Sequence, residues 1–306
     1  MPGAEPSLTE HGDGITAIDT DLLRPQFDAC HLVTAGDRAA FVDSGVNASV
    51  PLFLATLERK DIDPAAVDFL FLTHVHQDHA GGAGLLMQSL PNAKAVLHPR
   101  GAPHMIAPGK LIKGATAVYG ENAYRAMYGD ILAIPEDRVV VAEDRQAFTF
   151  GGRRFVSVFT EGHARHHHCF YDPDSVSVFT GDSFGLSYRE LDTAQGEFIY
   201  PTTTPVHFDP PEAHRAIDTI LSFEPEQLFL THYSRVTDIE RLASDLHRRI
   251  DDFVDMAERH ANDEQRTAAI HESMYVYFER ELDEHGFVDG PDVVRDVVGK
   301  DVILNT

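Results

Sequence analysis

Thr73-His74-Val75-His76-Gln77-Asp78-His79 carries three imidazoles and a carboxylate in the order His-x-His-x-Asp-His. Packing alone gives no reason for that density of titratable groups. Side chains two apart on an extended segment point the same way, so His74 and His76 can converge on one point. Asp78 and His79 follow where the chain has to turn, because Ala80-Gly81-Gly82 comes next. Imidazole nitrogen suits zinc, and imidazole with carboxylate suits zinc, iron or manganese. The preceding Val67-Asp68-Phe69-Leu70-Phe71-Leu72 is an apolar run of strand length, and residues 83–90 read as a short helix. The polar cluster therefore sits at the carboxyl end of a buried strand, where α/β folds place their sites.

Strands and helices alternate outward from this loop. Strands are expected at 15–19, 29–34, 39–43, 67–73 and 95–98, with a helix at 50–59 that tolerates Pro51 in its first turn. Further strands are expected at 139–141, 147–150, 155–159, 169–171, 176–180 and 227–231, with a helix at 211–223. Gly151-Gly152 signals a hairpin. Residues 99–137 interrupt the pattern with many Pro and Gly, a helical piece near 121–128, and Met105, Tyr119, Tyr124, Met127 and Tyr128. That apolar content predicts an insertion packed beside the site. After His232 the spacing Ile239, Leu242, Leu246, Ile250, Phe253 predicts a long helix over 237–260. A second is expected over 263–284, closed by Gly286 at the C′ position. The expected organisation is a flexible tail at 1–13, a catalytic domain at 14–235 and a helical C-terminal extension at 236–306. The extension either packs on its own domain or forms a homodimer face; the pattern leaves both open.

The loop resembles that of the metallo-β-lactamase-fold hydrolases, whose hallmark is His-x-His-x-Asp-His after a strand. Four other motifs of that family find counterparts in order: Phe41-Val42-Asp43-Ser44-Gly45, Glu161-Gly162-His163-Ala164, Val178-Phe179-Thr180-Gly181-Asp182 and Leu228-Phe229-Leu230-Thr231-His232. No ligand is replaced. The resemblance implies an αββα sandwich with metals between the sheet edges. It implies that His74, His76 and His163 hold one divalent ion, that Asp78, His79 and His232 hold a second, and that Asp182 bridges them. Zinc is the first expectation; iron or manganese also suits the donors. Asp43 would orient a ligand histidine through its other ring N–H. Gly162-His163-Ala164-Arg165-His166-His167 is similar to a version found in glyoxalase II-like hydrolases. Tyr200-Pro201-Thr202-Thr203-Thr204-Pro205-Val206-His207-Phe208-Asp209 also looks like that subgroup and should line the pocket. His166 or His167 would then donate to substrate or to the ligand shell, and Tyr233 could donate to an oxyanion.

A structural zinc site closes with four protein ligands, often cysteines, whereas a catalytic one leaves a position for water. Cys30 and Cys169 lie outside the motifs and form no CxxC, so a hydrolytic site is expected. The implied reaction is attack by a metal-bridging hydroxide on a small ester, thioester, lactone or phosphoester, with Asp78 and Asp182 setting the metals. Two rivals remain: a persulfide dioxygenase-like oxidoreductase with one iron, and a non-catalytic metal-centred sensor. Di-iron oxygen reductases replace the second loop histidine by Glu, so His76 argues against them. The tail lacks the clustered Lys and Arg that would clamp glutathione carboxylates, so that role is not carried over.

The formal net charge of −24 opposes nucleic-acid binding, which needs clustered Lys and Arg, and with it the ribonuclease branch of the superfamily. No run approaches the roughly 20 apolar residues of a membrane span. Met1-Pro2-Gly3-Ala4-Glu5 lacks the basic and apolar segments of a signal peptide, so cytoplasm is the expected compartment and a small molecule the expected partner. Motifs for phosphate loops and dinucleotide binding do not occur.

Overall fold

A computed structural model describes residues 5–203 and 207–304. Its frame is two face-to-face sheets. The first has seven strands in sequential order: β1 (Leu8–Gly12), β2 (Ile15–Asp19), β3 (Ala29–Ala35), β4 (Arg38–Val42), β5 (Val67–Phe71), β6 (Lys94–Leu97) and β7 (Val139–Val141). Pairing is antiparallel from β1 to β4 and parallel from β4 to β7. The second contains β8 (Ala147–Phe150), β9 (Arg153–Phe159), β10 (His168–Asp172), β11 (Ser177–Gly181), β12 (Gln227–Leu230) and β13 (Ser234–Val236), in reverse order across the sheet. Only its β11–β12 pair is parallel among the described strands.

Aromatic rings fill the space between the sheets. Phe71 is fully buried, with its ring centroid 4.8 Å from that of Phe170, 5.1 Å from Phe155 and 5.7 Å from Phe148. Val33, Ala40, Val42, Phe179 and Phe229 complete this layer. Residues of opposite parity on the same strands face outward: Leu32, Phe41 and Leu70 meet Phe53 and Leu57 of α1 (Val50–Arg59). After the short α2 (Gln77–Ala80) of the histidine loop, α3 (Ala83–Ser89) adds Leu86 and Met87 to that face. Both faces of the central strands are therefore apolar, which is why 67–72 reads as a continuous hydrophobic run rather than an alternation.

The insertion holds three helices among the described residues: α4 (Ala102–Ile106), α5 (Gly109–Tyr119) and α6 (Glu121–Tyr128). The sequence predicted only the last. Pro103 and Pro108 masked the others, yet Pro103 occupies the first turn of α4 and Pro108 the N-cap of α5, where a missing N–H is harmless. Helix α7 (Pro210–Leu221) and helix α8 (Ile239–Arg259) cover the outer face of the second sheet through Ile217, Ile220, Leu242 and Leu246. Helices α9 (Arg266–Glu284) and α10 (Pro291–Leu304) share a further apolar cluster with Phe27, Tyr124, Tyr128, Tyr188 and Tyr200. In this chain the C-terminal helices and the insertion thus pack against one another. The side chain of Tyr119 lies outside the described residues.

One expectation is corrected: part of the 1–13 tail is ordered structure. Leu8–Gly12 pairs with β2 as an edge strand. Its residues are mostly exposed, so no apolar alternation announced it; backbone pairing holds it, with Glu10 hydrogen-bonded to Thr16 and Lys60.

Because Phe71 joins rings from both sheets, Phe71→Ala should lower the unfolding free energy by about 3–5 kcal/mol. Urea denaturation followed by circular dichroism measures this; a loss below about 1 kcal/mol would show that the rings do not act as one packed unit.

Candidate metal centre

The carboxyl ends of β4, β5, β11 and β12 meet at one edge of the sandwich. Each contributes a loop whose polar side chains face the others. His74, His76, His163 and Asp182 form one group of donors, and Asp78, His79 and His232 a second, with donor atoms within each group no more than 4.8 Å apart. The structure therefore assembles all seven predicted ligand residues.

Hydrogen bonds on the outer ring nitrogens fix which nitrogen faces inward. His232 Nδ1 donates to the Phe27 carbonyl at 2.8 Å, and His163 Nδ1 to the Thr202 carbonyl at 3.3 Å. His79 Nδ1 lies 2.9 Å from the Asp43 carboxylate. The Thr73 hydroxyl donates to Asp43, which leaves its oxygen to accept from His74 Nδ1 at 3.2 Å. The Nε2 atoms of all four rings therefore point into the site, while His76 presents Nδ1.

The Asp182 carboxylate lies between the groups. Its Oδ2 is 3.3 Å from His163 Nε2, and its Oδ1 is 3.2 Å from His79 Nε2. Both His79 Nε2 and Asp182 Oδ1 are buried and make no hydrogen bond. On the other side, His76 Nδ1 lies 2.8 Å from His74 Nε2 and 3.0 Å from His163 Nε2. At most one proton can serve those three nitrogens. Nitrogens bound tetrahedrally to zinc at ~2.0–2.1 Å stand about 3.3–3.4 Å apart, so a cation fits with a small outward shift. The donor set and its unpartnered atoms thus fit a divalent metal.

Protonation tells the same story. Burial and the neighbouring imidazoles push His74 well below its usual range and His76 down to about 3, so both are neutral, as metal ligands must be. Burial would also lower His79 and His232, but the Asp182 and Asp78 carboxylates outweigh it. They raise His79 well above its usual range and His232 to about 9. Burial opposes the charge on Asp182, yet the His79 and His163 imidazoles hold its carboxyl well below the usual range. The second group thus retains protons where a metal would supply the positive charge.

The backbone is shaped for this. Asp43 adopts a left-handed φ of +60°, a conformation that Asp tolerates better than most residues. Its carboxylate accepts from Thr73 N at 2.8 Å and from the Thr231 hydroxyl at 3.0 Å. Gly181 has φ +50°, and a Cβ there would lie 2.7 Å from both His167 Nε2 and Thr73 Oγ1. Only glycine lets β11 end against β5 so closely.

The other predicted site residues divide. His166 lies beside the first group, its ring 5.5 Å from that of His76, with a buried Nδ1 that has no partner. Burial and the surrounding histidines press it down to about 2, so it is neutral. His167 lies behind the site: its Nε2 accepts from the Asp182 backbone N–H at 3.2 Å, and its Nδ1 bonds the Ser183 hydroxyl at 2.9 Å. It supports Asp182 and does not face open space. Tyr233 does not join the donors; it packs with Ala17 and Ala29, and burial together with Asp19 raises its hydroxyl to about 12. Of the Tyr200–Asp209 stretch, Thr204, Pro205 and Val206 lie outside the described residues. Thr202 orients His163, while Tyr200 points to Asp301. Phe27, Asp28, Tyr188 and His104 reach this neighbourhood with no local signal in the sequence. His31 and His98 are buried away from the donor groups.

A family model described as the Metallo-beta-lactamase superfamily matches residues 23–232. The chain belongs to the metallo-beta-lactamase superfamily. That superfamily consists mostly of metal-dependent hydrolases and binds divalent metals, in keeping with the donor groups described. A metallo-beta-lactamase fold-containing protein of Sulfurisphaera tokodaii is 28% identical over 60% of this chain and 64% of its own length. An atrochrysone carboxyl ACP thioesterase of Aspergillus fumigatus is 28% identical over 38% of this chain and 27% of its own. This chain therefore spans less than two thirds of the length of these curated relatives. The crystal structure of an archaeal superfamily protein from Sulfolobus tokodaii superposes with a TM-score of 0.63 at 24% identity, covering 76% of this chain and 86% of that one. That likeness establishes the fold. Among the described residues no helix is long and apolar enough to cross a membrane.

Asp43 orients a ring and touches no donor face, so Asp43→Asn should weaken metal affinity roughly 10–100-fold while leaving the fold in place. Competition with a chromogenic chelator reads this; wild-type affinity in a folded variant would show that Asp43 merely closes a turn.

Proposed function

We propose that this protein is a metal-dependent hydrolase of the glyoxalase II-like kind, holding two divalent ions, zinc foremost. Its substrate is a small ester, thioester, lactone or phosphoester. The observation that carries the reading is the pair of convergent donor groups with Asp182 lying between them, its Oδ1 and His79 Nε2 being buried 3.2 Å apart and making no hydrogen bond. When bound, such ions would bring the pKa of water toward ~7 and polarise the scissile bond. His74, His76 and His163 would hold one and Asp78, His79 and His232 the other. Asp43, Thr73, Phe27 and Thr202 orient those rings.

The site opens on the Asp78 side. That side chain is 26% exposed, whereas those of His74 and His79 are fully covered. Substrate would approach there, past the neutral His166 imidazole. Phe27, Val46, Tyr124, Tyr128 and Ile131 supply an apolar wall nearby, the usual complement to a polar centre in a small-molecule pocket. A thioester is the favoured member of the class because one curated relative is named for that activity. The acidic surface supports a small-molecule substrate over nucleic acid.

Asp182→Ala should remove hydrolysis and reduce bound metal from about two equivalents to at most about one, with circular dichroism unchanged. Elemental analysis after reconstitution, run beside a panel of esters, thioesters, lactones and phosphodiesters, tests this. Near wild-type turnover in the variant, or no more than one equivalent in the wild type, would defeat the dinuclear reading. Oxygen consumption without hydrolysis would point to an oxidoreductase instead.

Tyr124→Ala and Tyr128→Ala should alter KM or substrate preference more than metal content, because loops of this kind set specificity on a rigid scaffold. The same panel with metal analysis on each variant decides it. If both variants match the wild type on every hydrolysed substrate, the insertion is only structural.

A further inference from the structure

Helices α7 and α8 carry the same five-residue pattern, His214-Arg215-Ala216-Ile217-Asp218 and His247-Arg248-Arg249-Ile250-Asp251. Residues four apart share one face of a helix, so each helix presents a histidine with an aspartate one turn further on. Ile217 and Ile250 belong to the apolar cluster on the outer face of the second sheet, with Ala213 and Leu246. The histidines lie at the rim of that seam, their side chains 28% and 30% exposed.

Across the seam the two patterns interlock. His214 Nε2 lies 3.1 Å from an Asp251 carboxylate oxygen, and His247 Nε2 lies 3.4 Å from an Asp218 oxygen. The aspartate of each helix thus serves the histidine of the other. A carboxylate only accepts, so these contacts place the ring protons on Nε2. The Nδ1 atoms are left with lone pairs, and they face each other at 2.6 Å. The ring planes differ by 9° and the centroids stand 4.9 Å apart. The short contact allows that separation only when the two nitrogens point at each other along one line.

Two lone pairs this close repel unless a cation lies between them. The metal centre shows the same signature, with His74 Nε2 and His76 Nδ1 2.8 Å apart. A carboxylate behind each imidazole is also the arrangement that orients ligating histidines and makes them more basic. Two aspartates carry two negative charges, which a divalent ion balances and a single shared proton does not. The neighbouring arginines are engaged elsewhere: Arg215 pairs with Glu212, and Arg248 with Asp252 and Glu281.

We infer that His214 and His247 form a further metal site, separate from the seven donors, which binds one divalent transition-metal ion through the two Nδ1 atoms and staples α7 to α8. Imidazole suits zinc, nickel and copper, and copper binds most tightly. Nitrogens bound tetrahedrally to zinc stand about 3.3–3.4 Å apart, so the partly exposed rings part slightly on binding. With two protein ligands in place of four, solvent takes the remaining positions and the ion exchanges. The staple braces a helix on which the His163 loop rests. The Asp209 N–H donates to the Gly162 carbonyl at 2.8 Å, and a Cβ on Gly162 would lie 2.6 Å from the Ala213 backbone. The site does not depend on the hydrolase reading.

The test uses the full chain, loaded with zinc, desalted and given one equivalent of Cu2+. Its electron paramagnetic resonance spectrum should show splitting from two imidazole nitrogens. His214→Ala and His247→Ala should each abolish that two-nitrogen signal, with zinc content and circular dichroism unchanged. The double variant Asp218→Asn with Asp251→Asn should keep the signal at roughly tenfold lower copper affinity. Copper in excess should raise the Tm of the wild type by about 3–6 °C and move neither alanine variant. Failure of the wild type to hold copper would overturn the site and leave the pair with a shared proton only. A two-nitrogen signal that survives in both alanine variants, or zinc released in step with copper uptake, would overturn it equally.

Discussion

Everything at the functional edge hangs on the Asp43 carboxylate. It accepts from Thr73 N, from the Thr73 and Thr231 hydroxyls, and from His79 Nδ1. Those partners sit at the ends of β5 and β12, one strand from each sheet. A single buried acid thus ties the two halves of the sandwich together where the donors converge. It also sets two tautomers at once, directly for His79 and through Thr73 for His74. A buried carboxylate is tolerable only when its lone pairs are filled, and here four donors fill them. The left-handed backbone at Asp43 is what aims the carboxylate between the strands.

Around that acid the seven donor residues form two electrostatically different halves. In the His74–His76–His163 half, burial first and then the crowding of imidazoles depresses basicity, so its nitrogens are free to bind. The Asp78–His79–His232 half has carboxylates close enough to hold protons on its histidines. Asp182 serves both, and it is held in turn by His167 from behind. A cation in each half would relieve the crowding of lone pairs in one and replace protons in the other.

One apolar core cluster lies beneath α6, α9 and α10. Tyr124 and Tyr128 come from the insertion, Phe27 from the β2–β3 loop, Tyr188 and Tyr200 from the segment after Asp182, and four valines from α10. Segments far apart in sequence thereby share one buried cluster. Rigid strands hold the donors while loops and late helices decide what can sit next to them.

Local rules in the sequence placed most of the strands and helices and marked the 74–79 loop as a metal site: side-chain parity in a strand, the helical spacing of apolar residues, and a loop too rich in imidazole to be packing. The sandwich and the donors His163, Asp182 and His232 came from the resemblance of ordered motifs to those of the metallo-β-lactamase fold. Helices at Val50–Arg59 and Glu121–Tyr128 and strands at Ile15–Asp19, Val139–Val141 and Ala147–Phe150 fall where the sequence predicts them. The edge strand Leu8–Gly12 escaped because backbone pairing, unlike burial, leaves no mark on side-chain pattern. His166 and His167 look alike in sequence, and only the tertiary structure turned one toward His76 and the other toward the Asp182 backbone. Tyr233 adjoins a donor yet packs elsewhere, since neighbouring residues on an extended chain point to opposite faces. The valine face of α10 and the Asp301 carboxylate dock that helix against Tyr188 and Tyr200, a contact between segments far apart in sequence that no local pattern announces.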